Sequence, residues 1–160
     1  MMKGSGLFFL AITIFLVACD SGKSQNEKEL NNELWSYEEA IQDNGEKIEV
    51  APYNESIQKA MSVRLPWAYS PLSIALRVAG QQMIAPNVNM VAKSLSGNEL
   101  ITDAAVIIEK LNLPDDSLDD EYYWIRLKLG GTVWQVAEIK HAWKCKDGRG
   151  HQNLSAEKCK

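Results

Sequence analysis

Two stretches with the composition of β-strands flank a Gly-Gly pair near the end of this 160-residue chain, and they constrain its fold more than any other feature. Residues 122–129 and 132–143 are rich in β-branched and aromatic side chains, and Gly130 and Gly131 can adopt the positive φ values of a two-residue turn. The sequence therefore predicts an antiparallel hairpin with one apolar and one polar face. The predicted cross-strand pairs are Leu127 with Trp134, Ile125 with Val136, and Arg126 with Gln135.

Helices are predicted to cover the apolar face of this hairpin, because a two-stranded hairpin is only marginally stable alone. Ser70-Pro71 is a typical helix start, and a helix is predicted over residues 71–85. Apolar residues at helical spacing predict a second helix over residues 98–113, whereas residues 88–95 fit either a strand or another helix. The predicted fold is α+β, with helices in the first two thirds packed on a C-terminal antiparallel hairpin or small sheet.

The amino-terminal residues have the pattern of an export signal. Lys3 provides a positive charge, and residues 7–17 form an uncharged apolar run. A membrane-spanning helix needs about 20 apolar residues, so this run is too short to cross a bilayer comfortably. We therefore expect a secretory signal in place of a permanent anchor helix.

The tetrapeptide Leu16-Val17-Ala18-Cys19 resembles the lipobox of bacterial lipoproteins. The resemblance implies that residues 1–18 are removed and that the Cys19 thiol carries diacylglycerol, with a further acyl chain such as palmitate on the new amino terminus. Two or more chains anchor a protein stably to membrane lipid. Asp20 resembles the signal that retains enterobacterial lipoproteins in the inner membrane, which implies a periplasmic-side location. Residues 19–33 are predicted to be the lipidated cysteine and a flexible tether, and residues 34–160 a single domain.

The overall charge indicates which partners to expect. Seventeen Lys and Arg residues against 21 Asp and Glu residues give a formal net charge of −4. A mildly acidic chain lacks the basic signature of nucleic-acid binding, so we expect no nucleic-acid partner. Nor does the sequence contain a motif that predicts a cofactor.

Two cysteines remain after lipidation, and we predict a disulfide between Cys145 and Cys159, because the envelope is oxidising. Closing a loop of this length is worth about 3 kcal/mol in the chain-entropy model. The alternative is a zinc site that adds His141 and His151, in the pattern H-x3-C-x5-H-x7-C. That pattern lacks the paired C-x2-C knuckle of zinc ribbons, so the disulfide is the preferred interpretation and no metal is predicted.

The last candidate residues lie around the predicted disulfide loop. Arg149 stands between two glycines and precedes His151, and Trp143 comes shortly before them, so these three are the candidate binding residues. A catalytic interpretation, a small envelope hydrolase or metal-handling protein, would use His141, His151 and Arg149. The sequence has no G-x-S-x-G motif to support it. We therefore predict a non-catalytic binding, assembly or accessory module whose partner is another envelope protein.

Overall fold

A computed structural model of the chain describes residues 25–80, 85–97 and 99–160. These ranges contain four α-helices, one 3-10 helix and five strands. In chain order they are α1 (Gln25–Ser36), α2 (Glu38–Asn44), β1 (Glu46–Lys47), α3 (Ala51–Ser62), the 3-10 helix (Pro66–Tyr69), α4 (Pro71–Val78), β2 (Asn87–Ser94), β3 (Asp103–Leu111), β4 (Leu118–Gly130) and β5 (Val133–Cys145).

The five strands form one antiparallel sheet in the order β1-β5-β4-β3-β2. Helices cover both of its faces. Val106 and Ile108 of β3 pack in one core cluster with α3, the 3-10 helix and α4, on what we call the α4 face. Ala105 and Ile107 pack in a second cluster with α1 and α2, on what we call the α1 face. The sheet is therefore the middle layer of the described part of the chain.

The predicted α+β class is confirmed, but the sheet is larger than a hairpin and the helices do not fill the first two thirds. The helix predicted over residues 98–113 is wrong, because this segment forms β3. Residues 104–110 are all buried, since β3 lies in the middle of the sheet with helices on both sides. Such a strand is a continuous apolar run without alternation, which periodicity alone does not separate from a buried helix.

The helix predicted over residues 71–85 begins as expected and ends earlier. The Ser70 hydroxyl accepts a hydrogen bond from the backbone N–H of Ser73 at 3.4 Å, as a helix cap does. The helix stops at Val78, and Gly80 follows with a φ of 91°. A glycine in the left-handed region commonly terminates a helix, and this one marks the end of α4.

The hairpin between β4 and β5 exists, but its predicted pairing was wrong by two residues near the turn and by three beyond a register shift between Arg126 and Leu127. Leu127 lies opposite Val136, and Trp134 lies opposite Leu129. Only Gly131 has a positive φ, of 69°, whereas Gly130 is still paired in β4. The turn therefore falls one position later, at Gly131 and Thr132. Beyond the register shift Ile125 pairs with Ile139 and Arg126 with Glu138, each three positions from the predicted partner.

At the amino-terminal end, helix α1 begins at Gln25, inside the stretch predicted as tether. Its Leu34 is fully buried and fixes the helix to the α1 face. The predicted signal peptide, Cys19 and Asp20 lie outside the described residues. No helix in the described part of the chain is long and apolar enough to cross a membrane.

Candidate functional site

The predicted disulfide between Cys145 and Cys159 is confirmed and closes the C-terminal loop. Within the loop, the backbone N–H of Cys145 donates to the carbonyl of His151 at 2.9 Å. Gly150 has a φ of 153°, and a Cβ atom there would lie 2.7 Å from the Cys145 sulfur. The backbone passes so close to the disulfide that only glycine fits at this position.

The three candidate binding residues of this region have different environments. The Nδ1 and Nε2 atoms of His151 lie 2.8 and 2.9 Å from the carbonyl oxygens of Asn153 and Glu157. The indole N–H of Trp143 donates to the same Glu157 carbonyl at 2.9 Å. Both rings therefore hold the loop through its backbone. Arg149 is exposed to solvent.

Three of the four residues in the predicted zinc pattern do come together. The donor atoms of Cys145, His151 and Cys159 lie within 4.8 Å of one another, while His141 is not part of this group. Zinc binds cysteine as the thiolate, and the two sulfurs here are bonded to each other. In this form the cluster is a disulfide with a neighbouring imidazole.

His141 lies elsewhere, in a partly buried polar cluster on the α4 face. Its ring is stacked on Tyr123 with centroids 4.3 Å apart, and Trp143 is 4.9 Å away on β5. Its Nδ1 atom is 3.3 Å from a carboxylate oxygen of Glu46. Its Nε2 atom is buried without a hydrogen-bond partner, 3.8 Å from Glu121. Burial lowers the pKa of His141, outweighing the hydrogen bond to Glu46 and the charge of Glu121, which favour protonation.

Glu121 also connects this cluster to a buried lysine. The Lys110 ammonium donates to the carbonyl of Ala79, past the end of α4, at 2.6 Å and lies 3.2 Å from Glu121. Sequence reasoning did not predict this pair. Lys110 directly follows Glu109, and Glu121 ends an acidic run that is typical of a solvated loop, so the sequence contains no clear signal that the two residues meet.

A cavity of about 290 Å³ lies beside His141, and Trp143 and Cys159 are among the residues that line it. Neither His151 nor Arg149 lines this cavity. The cavity beside His141 therefore does not gather His141, His151 and Arg149, as the catalytic interpretation requires.

The outer edge of β5 is covered by other parts of the chain. Five of its residues have partners there: Val136 with the Asn54 side chain, Ile139 with Ile48, His141 with β1, Trp143 with Ser155, and Cys145 with His151. Sheet edges left bare invite another strand, and proteins commonly cover them in this way.

The outer edge of β2, at the opposite side of the sheet, is bare in the part of the chain that the structure describes. The N–H of Leu95 donates to the carbonyl of Asp103, so alternate residues back to Asn87 direct their backbone groups towards β3. The residues between them direct theirs away from the sheet. These are Val88, Met90, Ala92 and Ser94, and none has a backbone partner at that edge within residues 25–80, 85–97 and 99–160.

No charge protects this edge either. Lys93 is the only charged residue of β2, and its ammonium binds the Glu38 carboxylate and lies 4.1 Å above the Trp35 ring. It is therefore held on the α1 face. The strand contains no proline and no bulge, which are other devices that block strand addition.

An apolar groove of about 200 Å³ runs beside the bare edge on the α4 face. Leu72 of α4 and Ile101 form its walls, and Ala92 and Val106 are among its strand residues. Ile101 remains 52% exposed and its neighbour Leu100 77% exposed. This surface is not predicted from the sequence, because Leu100 and Ile101 are among the apolar residues whose spacing predicts a helix over residues 98–113. We name the outer edge of β2 and this groove together the β2 surface.

The chain matches no family model, no curated protein and no solved structure in the three comparisons made.

Proposed function

We propose that the protein is a lipid-anchored, non-catalytic assembly module of the bacterial envelope, which binds its partner through the β2 surface. The observation that carries the binding role is the contrast between the two sheet edges. One is covered at five residues by other parts of the chain, and the other offers four residues whose outward backbone groups have no partner among the described residues.

The groove supports the same role. Backbone hydrogen bonds along a sheet edge supply affinity, and pockets for alternate side chains supply specificity. The β2 surface has both components, because the groove receives side chains that point to the α4 face. Exposed apolar residues next to a bare sheet edge also promote aggregation. A bound partner would cover both the apolar residues and the edge.

The anchor rests on the sequence. The apolar run of residues 7–17, the lipobox Leu16-Val17-Ala18-Cys19 and Asp20 together support an inner-membrane lipoprotein that faces the periplasm. A lipid anchor confines the module to a surface, which raises its effective concentration for a partner in the same membrane.

The anchor is tested by the intact mass of the protein purified from membranes of its native host, with and without a Cys19→Ser substitution. The protein with Cys19 is expected to lack residues 1–18 and to carry the mass of its acyl chains, whereas the Cys19→Ser variant should keep residues 1–18 and carry no lipid. A mass without lipid on the protein with Cys19 would contradict lipid anchoring.

The binding role is tested by native electrophoresis of detergent-solubilised membranes. Proline at Ala92 removes an N–H that points away from the sheet, and edge strands tolerate such a proline. The Ala92→Pro variant is expected to stay folded and anchored but to leave the complex formed by the unmodified protein. An Ala92→Ser variant, which keeps the N–H, is the matched control and is expected to remain in the complex. An unchanged complex with Ala92→Pro would overturn the proposal.

A further inference from the structure

We infer that the partner of the β2 surface is a second copy of this chain, joined through antiparallel pairing of the two β2 strands. This inference rests on the proposed function and names its partner. It follows from the hydrogen-bonding pattern of the edge, from the side chains on each face and from the position of α1.

The hydrogen-bonding pattern selects one register. If Val91 of one copy lies opposite Val91 of the second copy, Met90 lies opposite Ala92 and Val88 lies opposite Ser94. All four residues with free backbone groups are then paired with each other, as an antiparallel ladder requires. A register centred on Met90 would instead place Pro86, which has no N–H, opposite Ser94.

The side chains on the α4 face are compatible with the register centred on Val91. Met90 is 37% exposed, and in this arrangement it lies beside Ala92 of the second copy. Ala92 lines the apolar groove with Leu72 and Ile101, so the long Met90 side chain enters the groove where the strand residue is small. The two copies are related by a twofold axis at the Val91 pair, so Met90 of the second copy makes the same contact with Ala92 of the first.

The α1 face carries polar pairs without a charge conflict. Lys93 lies opposite Asn89 of the second copy, and both side chains already have partners within their own copy, Glu38 and Glu109. No like charges oppose each other along the strand, which would otherwise be destabilising.

The geometry also suits two molecules in one membrane. In this register, residues that face α1 in one copy lie beside residues that face α1 in the second copy, so both α1 helices lie on the same side of the joined sheet. Both chains then enter α1 from one side, as two anchors in a single membrane surface require.

The experiment uses the full-length protein in membranes of its own host, with Val91→Cys as the only added thiol. The two introduced sulfurs would lie at a pair without backbone hydrogen bonds, where Cα atoms are about 4.5 Å apart and a disulfide can form. After mild oxidation, a species of twice the chain mass is expected on a non-reducing gel and should disappear with reductant.

A Ser94→Cys variant is the matched control. Ser94 is more exposed than Val91, so random collision would cross-link it at least as readily. In the inferred register the two Ser94 positions are six residues apart along the strands, roughly 20 Å, which a disulfide does not span. Cross-linking of Val91→Cys without cross-linking of Ser94→Cys would support the inference.

Two results would overturn it. Equal cross-linking of both variants would indicate collision, and no cross-linking of Val91→Cys would exclude this pairing. If the second result came with loss of the native complex in Ala92→Pro, the partner would be a different protein and the proposed function would stand. If Ala92→Pro also left the complex unchanged, the proposed function would fail as well.

Discussion

The side chain of Asn54 pairs with the backbone of Val136 as a strand residue would. Its amide nitrogen donates to the Val136 carbonyl at 2.9 Å, and its amide oxygen accepts from the Val136 N–H at 2.8 Å. A residue near the start of α3 thus covers an edge position on β5.

Substitution Asn54→Ala is expected to lower the free energy of unfolding by about 1–3 kcal/mol, because it leaves both backbone groups of Val136 without their partner. Urea unfolding followed by circular dichroism measures the change. Asn44→Ala is the control, since Asn44 is exposed and bonds only the Ala40 carbonyl of its own helix. Equal effects of the two substitutions would contradict the edge role of Asn54.

Removal of the disulfide is expected to destabilise the domain by about 3 kcal/mol, the value for a closed loop of about 15 residues. The double variant Cys145→Ala/Cys159→Ala tests this by urea unfolding. Reductant should bring the unmodified protein to the stability of the variant and should leave the variant unchanged. A stable unmodified protein in reductant would show that other contacts hold the loop.

Lys110 and Glu121 are expected to be energetically coupled, because the Lys110 ammonium is buried and bonds that carboxylate. Lys110→Met alone should cost about 3–5 kcal/mol, since it leaves an uncompensated carboxylate in a partly buried place. The double variant Lys110→Met/Glu121→Met should cost less than the sum of the two single variants. Additive losses in this double-mutant cycle would show that the pair is not coupled.

His141 is expected to make stability depend on pH in the weakly acidic range. Its pKa is lowered in the folded protein by burial, while its unfolded value is ordinary. The unfolded chain therefore binds the proton more readily, and stability falls as pH drops below about 6.5. Glu46, Glu121 and Lys110 are the charged groups that face this ring.

The measurement compares the free energy of unfolding at about pH 7.5 and about pH 5.5 for the unmodified protein and for His141→Phe, which keeps an aromatic ring but does not titrate. A smaller loss in His141→Phe is expected. The same loss in both proteins would assign the pH dependence to other groups.

Local signals in the sequence were sufficient where one short segment determines its own structure. The cap at Ser70, the strands around Gly131 and the pairing of Cys145 with Cys159 were predicted, although the hairpin register was not. The prediction failed at β3, because a strand covered on both faces has no alternation for periodicity to detect.

The candidate site was less accessible to sequence reasoning, for a physical reason. Whether the outer edge of β2 is covered depends on where the other segments of the chain pack. In the described structure β1, α3 and the C-terminal loop lie along β5, at the opposite side of the sheet. Trp143 and His151 were predicted as binding residues, yet the rings of both contact the backbone carbonyl of Glu157 in the C-terminal loop. The β2 surface consists of common apolar residues, which composition does not distinguish from core.

The covered edge of β5 has a consequence for how far an assembly of this chain can grow. A sheet that is bare at both edges can add copies without end and become a fibre, as happens with heterologous contacts that do not close. Here Asn54, Ile48, β1 and the C-terminal loop cover the far side of every copy. The strand at the other edge, β1, is only two residues long, so pairing through β2 would use the only long bare edge in the described part of each chain, and growth would stop at a closed pair.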